Sequence, residues 1–503
     1  MEIVLCLIAV ITLIYLYFKY ELNYWKRRNV PYAEGTIVVG NFGEVLLMRK
    51  SAIEIYNDIY EKFRGYKYCG FFQYRKPSLL IMDLDIIKDV LIKNFNNFHD
   101  VPIPIDEKQD PILTKNPFFS KGNQWKMIRA QLTPQFTSGK IKGMFPLLQE
   151  IGGKLVKYLN TEVEATGKDG LNAKELASKF TADCVASCAF GIDGRSFVDP
   201  KATFMELGKN IFKPSIIDFI LFSFLDIFPE MQKIKVPQYI KTDTAKAFTD
   251  IILTNLKQRE ENNIKRGDFL DVVMELKKTT TAFDYNTDYM VAHALTFFLD
   301  GFETSSIVIQ YACYELGANP DVQSKLRKEI QRVLLENDGT FNDNILQEMK
   351  YLDMVLQETL RMYPPIAAMI RGCTETITIE PAQDGGKPLI IDKGSNIYIP
   401  VMAIHRDPKY YPDPDKFDPE RFDGKNKENG LKFAYLPFGE GPRMCLGRRF
   451  GITQVKMAIV SIVKNFELRV NKKTKVPLKL DPLEFFPVVK GGVWINFYGL
   501  KNE

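Results

Sequence analysis

The N-terminal apolar run limits the architecture more than any other feature of the chain. Ile3 to Phe18 is broken only by Thr12, and Tyr15, Tyr17, Tyr20, Tyr24 and Trp25 are rings suited to a headgroup boundary. Lys26, Arg27 and Arg28 come next. A helical span needs about 17–25 residues, and Ile3 to Leu22 meets that if Lys19 snorkels to the interface. A cleaved signal peptide is the rival reading. Against it stand Glu2 in place of a positive cluster and the lack of a small-residue cleavage site after Phe18. With the positive charges after the span, an uncleaved anchor puts the N-terminus in the lumen and the bulk of the chain in the cytosol. No later stretch is long and apolar enough to span, so the rest must fold in water.

Composition agrees. Hydrophobic residues make up 46% and charged residues 26% of the 503, which excludes wholesale disorder and a polytopic membrane protein. A net charge of +5 is too small for general nucleic-acid binding, though it permits a local basic face. The seven cysteines are scattered and odd in number, as expected of reduced thiols. Cys184 and Cys188 are one helical turn apart with no second Cys/His pair near them, so they read as core thiols rather than zinc ligands. His99, His293 and His405 are isolated and give a Ser-His-Asp hydrolase little to work with.

Leu79 to Met82 reads as a buried strand and Ile86 to Phe95 as a helix. From Thr137 to Leu335 the pattern is mainly helical. Asp288 to Asn319 predicts one long helix, about 48 Å at 1.5 Å per residue, capped by Thr287 or Asp288 and ended by Pro320. After Pro364 the chain turns to short strands and Pro-rich loops, then a last helix from about Cys445 to Phe466. The fold class is mainly α with small β-sheets.

The most informative stretch is Phe438-Gly439-Glu440-Gly441-Pro442-Arg443-Met444-Cys445-Leu446-Gly447. Its glycines let the backbone approach something flat and large, and a thiolate at a helix start has its pKa lowered by the dipole and free N–H groups. The pattern F-x-x-G-x-R-x-C-x-G fixes five residue types, and ordinary composition gives it in about one chain in ten thousand. Glu358-Thr359-Leu360-Arg361 alone is weak, because Glu61/Arg64, Glu329/Arg332 and Glu440/Arg443 share its spacing. Its weight comes from preceding Pro419-Glu420-Arg421-Phe422 and then the Cys loop. Asp300-Gly301-Phe302-Glu303-Thr304-Ser305 places a Gly and a β-branched Thr in mid-helix, a cost of up to about 1 kcal/mol for the Gly, which predicts a local opening.

On these motifs, from the anchor to Glu503, the chain resembles the cytochrome P450 family of haem-thiolate monooxygenases, and most of all its insect microsomal, xenobiotic-metabolising members. The resemblance implies that family's fold, with the long central helix over a b-type haem and a single N-terminal transmembrane anchor. The domains are then an anchor at 1–25, a basic and Pro-containing linker at 26–35, and a haem-thiolate catalytic domain at 36–503. It implies Cys445 as the axial ligand of the haem iron, in a loop that includes Phe438 and Gly439. Haem carboxylates would be met by Arg443, Trp125, Arg129 and Arg371. Glu358, Arg361 and Arg421 would form a structural network bracing the Cys loop. Glu303 and Thr304 would be the catalytic acid–alcohol pair, the hydroxyl supporting bound dioxygen and the acid feeding protons through water. Asp300 stands where the family commonly has Ala or Gly and is read as lying off the haem face.

The resemblance further implies a lipophilic substrate, with Pro104 to Phe119, Leu207 to Phe212, Phe297 to Thr304, Ile366 to Ile370 and Phe485-Phe486 lining an apolar pocket free of fixed charge or serving as ordinary core. Ile216 to Phe228 either dips into membrane lipid or packs as core. Electrons would come from NADPH through NADPH–cytochrome P450 reductase, with cytochrome b5 as a second donor. Lys126, Arg448, Arg449 and Lys456 are candidates for the docking face. The single proline of Val30 to Gly35 predicts a looser anchor junction than the family's repeated Pro-Gly hinge. The expected location is the endoplasmic reticulum membrane, with the catalytic domain facing the cytosol. Two rivals are a haem-thiolate isomerase or dehydratase that needs no reductase, and a haem or ligand carrier. Xenobiotic and endogenous lipid or hormone substrates fit equally well.

Overall fold

The computed structural model describes residues 1–213, 215–233, 238–280, 283–424 and 432–500. Its N-terminal helix, Glu2–Leu22, buries none of its side chains and has a mean hydropathy of 2.2 over its most apolar window. A helix this apolar, open along its length except at its C-terminal end, suits a lipid surrounding.

The junction is docked, which corrects two expectations. Trp25 is buried in the globular part rather than left at a headgroup boundary, and its indole Nε1 donates to the Phe71 carbonyl at 3.1 Å. The ring lies flat on Gly70, where any Cβ would come within 2.4 Å of it. Arg28 pairs with Asp392 at 2.6 Å. Arg75 ties Glu21 of the N-terminal helix (3.2 Å) to Glu230 (3.3 Å). One proline suffices because an indole and two arginines fix what a Pro-Gly hinge would otherwise stiffen.

The largest of three small sheets among the described residues has four strands, in the order Tyr68–Gln73, Lys76–Ile81, Asn396–Ile399, Met369–Gly372. The first two make an antiparallel hairpin with Cys69 opposite Leu80. Lys76–Ile81 runs parallel to Asn396–Ile399, and Met369–Gly372 closes the sheet antiparallel with Arg371 opposite Ile397. Parallel neighbours are far apart in sequence because the helical half is inserted between them. That half is a separate apolar cluster, centred on the helix Thr287–Ala318, which the Asn286 side chain caps by accepting from Tyr289 N. Asn286 therefore takes the capping role expected of Thr287 or Asp288. Ala173–Val185 and Arg448–Asn465 pack along it.

Glu358 and Arg361, on the helix Lys350–Met362, are both fully buried and joined by two hydrogen bonds of 2.6 and 2.8 Å. Arg421 reaches Glu358 at 3.4 Å, and Asp418 N donates to the same carboxylate at 3.0 Å. Arg361 donates to the carbonyls of His405 (2.8 Å) and Pro414 (2.7 Å). Removing one partner of such a buried pair strands the other, at a cost of about 3–5 kcal/mol. Arg361→Ala should therefore shift the urea unfolding midpoint of the detergent-solubilised chain strongly. Arg64→Ala, which breaks the exposed Glu61 pair of identical spacing, should change stability by less than about 1 kcal/mol. Equal midpoints for the two variants would contradict the brace.

Candidate haem site

The Cys loop is shaped by two residues with positive φ. Gly439 (φ +68°) and Gly441 (φ +76°) turn the backbone so that Met444 N donates to Gly441 O at 3.0 Å and Cys445 N to Phe438 O at 2.9 Å. Gly441 lies against the Leu91 carbonyl, so a Cβ there would come within 2.1 Å of it. The last helix is Arg448–Asn465, with Gly447 as N-cap, so it begins three residues beyond Cys445 rather than at it. Burial pushes the Cys445 thiol up to about 11, and the Asp300 carboxylate adds to that. The Gly447 N–H, Arg129 and Arg448 oppose the shift without overcoming it. The expected lowering by the helix end is thus outweighed by desolvation; a bound metal cation deprotonates a coordinating thiol outright.

Cys445 has accessible surface even though burial dominates its titration, so that surface is internal. The central helix answers it. From Met290 to Cys313 every residue is buried except Asp300, Gly301 and Thr304. The helix stays α-helical through Gly301, so the predicted opening is absent. The Thr304 hydroxyl donates instead to the Asp300 carbonyl at 2.6 Å. Asp300 and Thr304, four residues apart, share one face. Asp300 therefore belongs to the face turned toward Cys445, which corrects its placement off that face. Glu303 points elsewhere. It is buried and paired with Lys174 at 2.9 Å, whose ammonium also donates to Ser178 and Ser306.

Beside the thiol lies a cluster of guanidiniums. Arg443 stacks on Trp125 (4.5 Å) and donates to the carbonyls of His99, Pro117 (3.3 Å), Phe118 (3.2 Å) and Ser120 (2.8 Å). It stitches the Cys loop to residues 99–120 as much as it faces the opening. Arg129 donates to Met444 O at 2.6 Å. Arg371 is buried and, among the described residues, has only the Ile370 carbonyl as acceptor (2.9 Å) and no partner for its Nε. Burial lowers Arg443 to about 9, with Arg371 and Arg129 adding repulsion and Asp100, 3.5 Å away, opposing it. Burial alone lowers Arg371 to about 10.

One buried and two half-buried cations near one carboxylate need more negative charge. Together with an accessible thiol facing an accessible helix face, they fit a flat cofactor carrying two carboxylates. Arg371, Arg443, Arg129 and Trp125 would hold its carboxylates, and Cys445 its metal. Gly439 borders the same opening, where an added Cβ would sit 3.4 Å from Met369 Sδ.

Other expected residues fall elsewhere. Lys456 is fully buried on the Cys-side helix and paired with Asp353 at 2.6 Å, so it is no part of a docking face. Lys126 and Arg448 are exposed; Arg449 is partly so, held by Asp343 at 3.2 Å. Phe297 packs in the core on Phe269 (5.1 Å) and Phe450 (4.6 Å). Phe212 meets Phe302 and Phe486 at 5.9 and 6.0 Å, whereas Phe485 is exposed. In Ile216–Ile227, Ile216, Ile217, Ile220, Leu221 and Phe224 are exposed while Leu225 and Ile227 are buried. Cys184 and Cys188 are buried, and among the described residues no cluster could hold a metal ion.

Sequence reasoning missed His405. Its Nε2 accepts from Leu436 N at 2.8 Å and its Nδ1 donates to Arg361 O at 3.0 Å. Burial drives its pKa down to about 3, so it is neutral and joins the Glu358–Arg361 pair to the Cys loop. The only signal was an isolated His in an otherwise apolar stretch.

Small sheets about a buried central helix, with a thiol facing that helix beside an arginine cluster, define the haem-thiolate class. The family model for cytochrome P450 matches residues 31–491, and the chain belongs to that family. It is 39% identical to cytochrome P450 6j1 of Blattella germanica, over 97% of this chain and 96% of that one. It is 37% identical to a probable cytochrome P450 6a13 of Drosophila melanogaster, over 97% of each. Identity to cytochrome P450 9e2 of Blattella germanica is 34%, over 98% of this chain and 97% of the other. The protein is thus an oxidoreductase of the monooxygenase class, and the family's cofactor is haem iron with a cysteine thiolate.

Arg371 gives a direct test of the fit. Its charge is buried without an acid, so Arg371→Met should leave the unfolding stability of haem-free protein unchanged or higher. A charged hydrogen bond to cofactor is worth about 1.5–3 kcal/mol, so haem transfer to apomyoglobin should run about tenfold faster or more. Unchanged haem loss would contradict the assignment.

Proposed function

We propose that the protein is an anchored monooxygenase of the endoplasmic reticulum, with an anchor at 1–25, a linker at 26–35 and a catalytic domain at 36–503 that faces the cytosol. It inserts one atom of O2 into a lipophilic substrate and reduces the other to water, with two electrons from NADPH. The observation that carries this is the Cys445 thiol facing the Asp300–Thr304 window beside a cluster of three arginines. Cys445 would hold haem b by its thiolate, and the bound haem would supply dioxygen activation with the sulfur as an electron donor that favours O–O cleavage.

The chain's own residues do the rest. Arg371, Arg443, Arg129 and Trp125 orient the cofactor carboxylates, and Phe438 and Gly439 shape its Cys side. Thr304 Oγ1 is the hydroxyl on the open face. Glu303 is the acid that passes protons to it through water, once its carboxylate exchanges Lys174 for that water. Glu358, Arg361 and Arg421 keep the loop in place and do no chemistry.

The apolar helix Glu2–Leu22 and the exposed apolar side of Ile216–Ile227 support a membrane location. NADPH–cytochrome P450 reductase would dock on the Cys side at Lys126, Arg448 and Arg449, with cytochrome b5 as a second donor. Xenobiotics and endogenous lipids or hormones fit this reading equally well, and both classes belong in the first assay. Reductase-dependent oxygen uptake with product formation separates this reading from an isomerase, a dehydratase or a carrier.

Thr304→Ala should keep its haem content and consume NADPH within several-fold of wild type. Product per NADPH should fall and peroxide rise to match, because proton delivery is misdirected. Glu303→Gln should mainly slow turnover. The measurement is haem, NADPH, peroxide and product on both purified variants; a fully coupled Thr304→Ala would contradict the role of the hydroxyl.

A further inference from the structure

The pocket expected to carry no charge has one. Asp300 begins the only accessible window between Met290 and Cys313 on the central helix and is its most exposed residue. Its backbone carbonyl is engaged by Thr304, but no hydrogen bond or ion pair to its carboxylate occurs among the described residues. The neighbouring cations are committed elsewhere. Lys174 holds Glu303, Ser178 and Ser306, and Arg129 holds the Met444 carbonyl. The Asp300 carboxylate raises the Cys445 thiol, so the two groups lie near each other. Burial alone raises its carboxyl to about 7, the behaviour of an acid with no counter-charge of its own. An unpaired carboxyl in an enclosed site favours a ligand that brings the missing charge.

We propose that Asp300 is a specificity-determining residue, its carboxylate pairing with the protonated nitrogen of a lipophilic amine and so selecting bases over neutral substrates of the same shape. The inference rests on the lipophilic-substrate reading above and narrows it to a chemical class. A site built around one polar contact discriminates against an analogue lacking that contact more strongly than apolar fit can.

The test uses the full-length, haem-loaded protein in detergent and two probes of equal shape. One is 1-tert-butyl-4-phenylpiperidine, whose hindered nitrogen is a poor iron ligand. The other is 1-tert-butyl-4-phenylcyclohexane, its neutral isostere. Kd is read by equilibrium dialysis and by the Soret shift, and partition into detergent cancels between wild type and variant. Asp300→Asn should weaken amine binding by about tenfold or more and change isostere binding by less than about threefold. Asp300→Glu should keep most of the preference. If Asp300→Asn does not load haem, Asp300→Ala carries the same comparison. A substitution that weakens both probes equally, or neither, overturns the proposal. If both probes bind wild type and the amine gains nothing from Asp300, this proposal alone fails. If neither binds, the lipophilic-substrate reading fails with it.

Discussion

The buried pair of Glu358 and Arg361 holds together parts of the chain that nothing local would keep in register. Two ions taken out of water are favourable only when every remaining donor and acceptor finds a partner. Here Arg361 spends its other N–H groups on the carbonyls of His405 and Pro414, and Glu358 takes Asp418 N and Arg421. His405 then passes the constraint to Leu436, at the head of the Cys loop. A neutral imidazole suits this position because each ring nitrogen has one fixed role, donor to Arg361 and acceptor from Leu436. The loop that presents Cys445 is thus rigid at one end through this network. At the other end it is held by Arg443, which grips four carbonyls between His99 and Ser120.

From that frame the electrostatics of the site follow. Positive charge is concentrated beside the thiol, in Arg371, Arg443 and Arg129, where a dianionic cofactor edge would relieve it. Negative charge is placed on the central helix, where Asp300 faces the opening and Glu303 is held back by Lys174. Burial shifts every one of these groups that shows a shift toward its neutral form. Each is therefore poised to be reversed by a partner of opposite charge. Asp300, Glu303 and Thr304 thus lie within little more than one turn of one helix, with Asp300 and Thr304 toward the opening and Glu303 held by Lys174.

Much of this was legible in the sequence, and the failures have physical causes. The N-terminal apolar helix, the Cys loop and the central helix were readable because each rests on local pattern. Asp300 was misplaced although the signal was present: it stands four residues before Thr304, and that spacing puts both on one face. Lys456 read as surface charge because its acceptor, Asp353, is distant in sequence, and only tertiary packing reveals a buried ion pair. The docked junction was invisible for the same reason, since Trp25 needs Gly70 from another element. The Cys445 thiol was expected to be acidic because helix-end effects can be read locally, whereas desolvation depends on everything packed around the site.

The account turns on Cys445 being the sulfur that binds the haem iron. Cys69, Cys184, Cys188, Cys313 and Cys373 are buried in the core, and Cys6 lies in the N-terminal helix, so none is placed to substitute for it. The most direct measurement is the absorption spectrum of the reduced, carbon-monoxide-bound full-length protein, compared with that of Cys445→Ser. The wild type should show the strongly red-shifted Soret band of a thiolate complex, and the variant should lose it. An unchanged band in Cys445→Ser would contradict the assignment and the architecture argued around it.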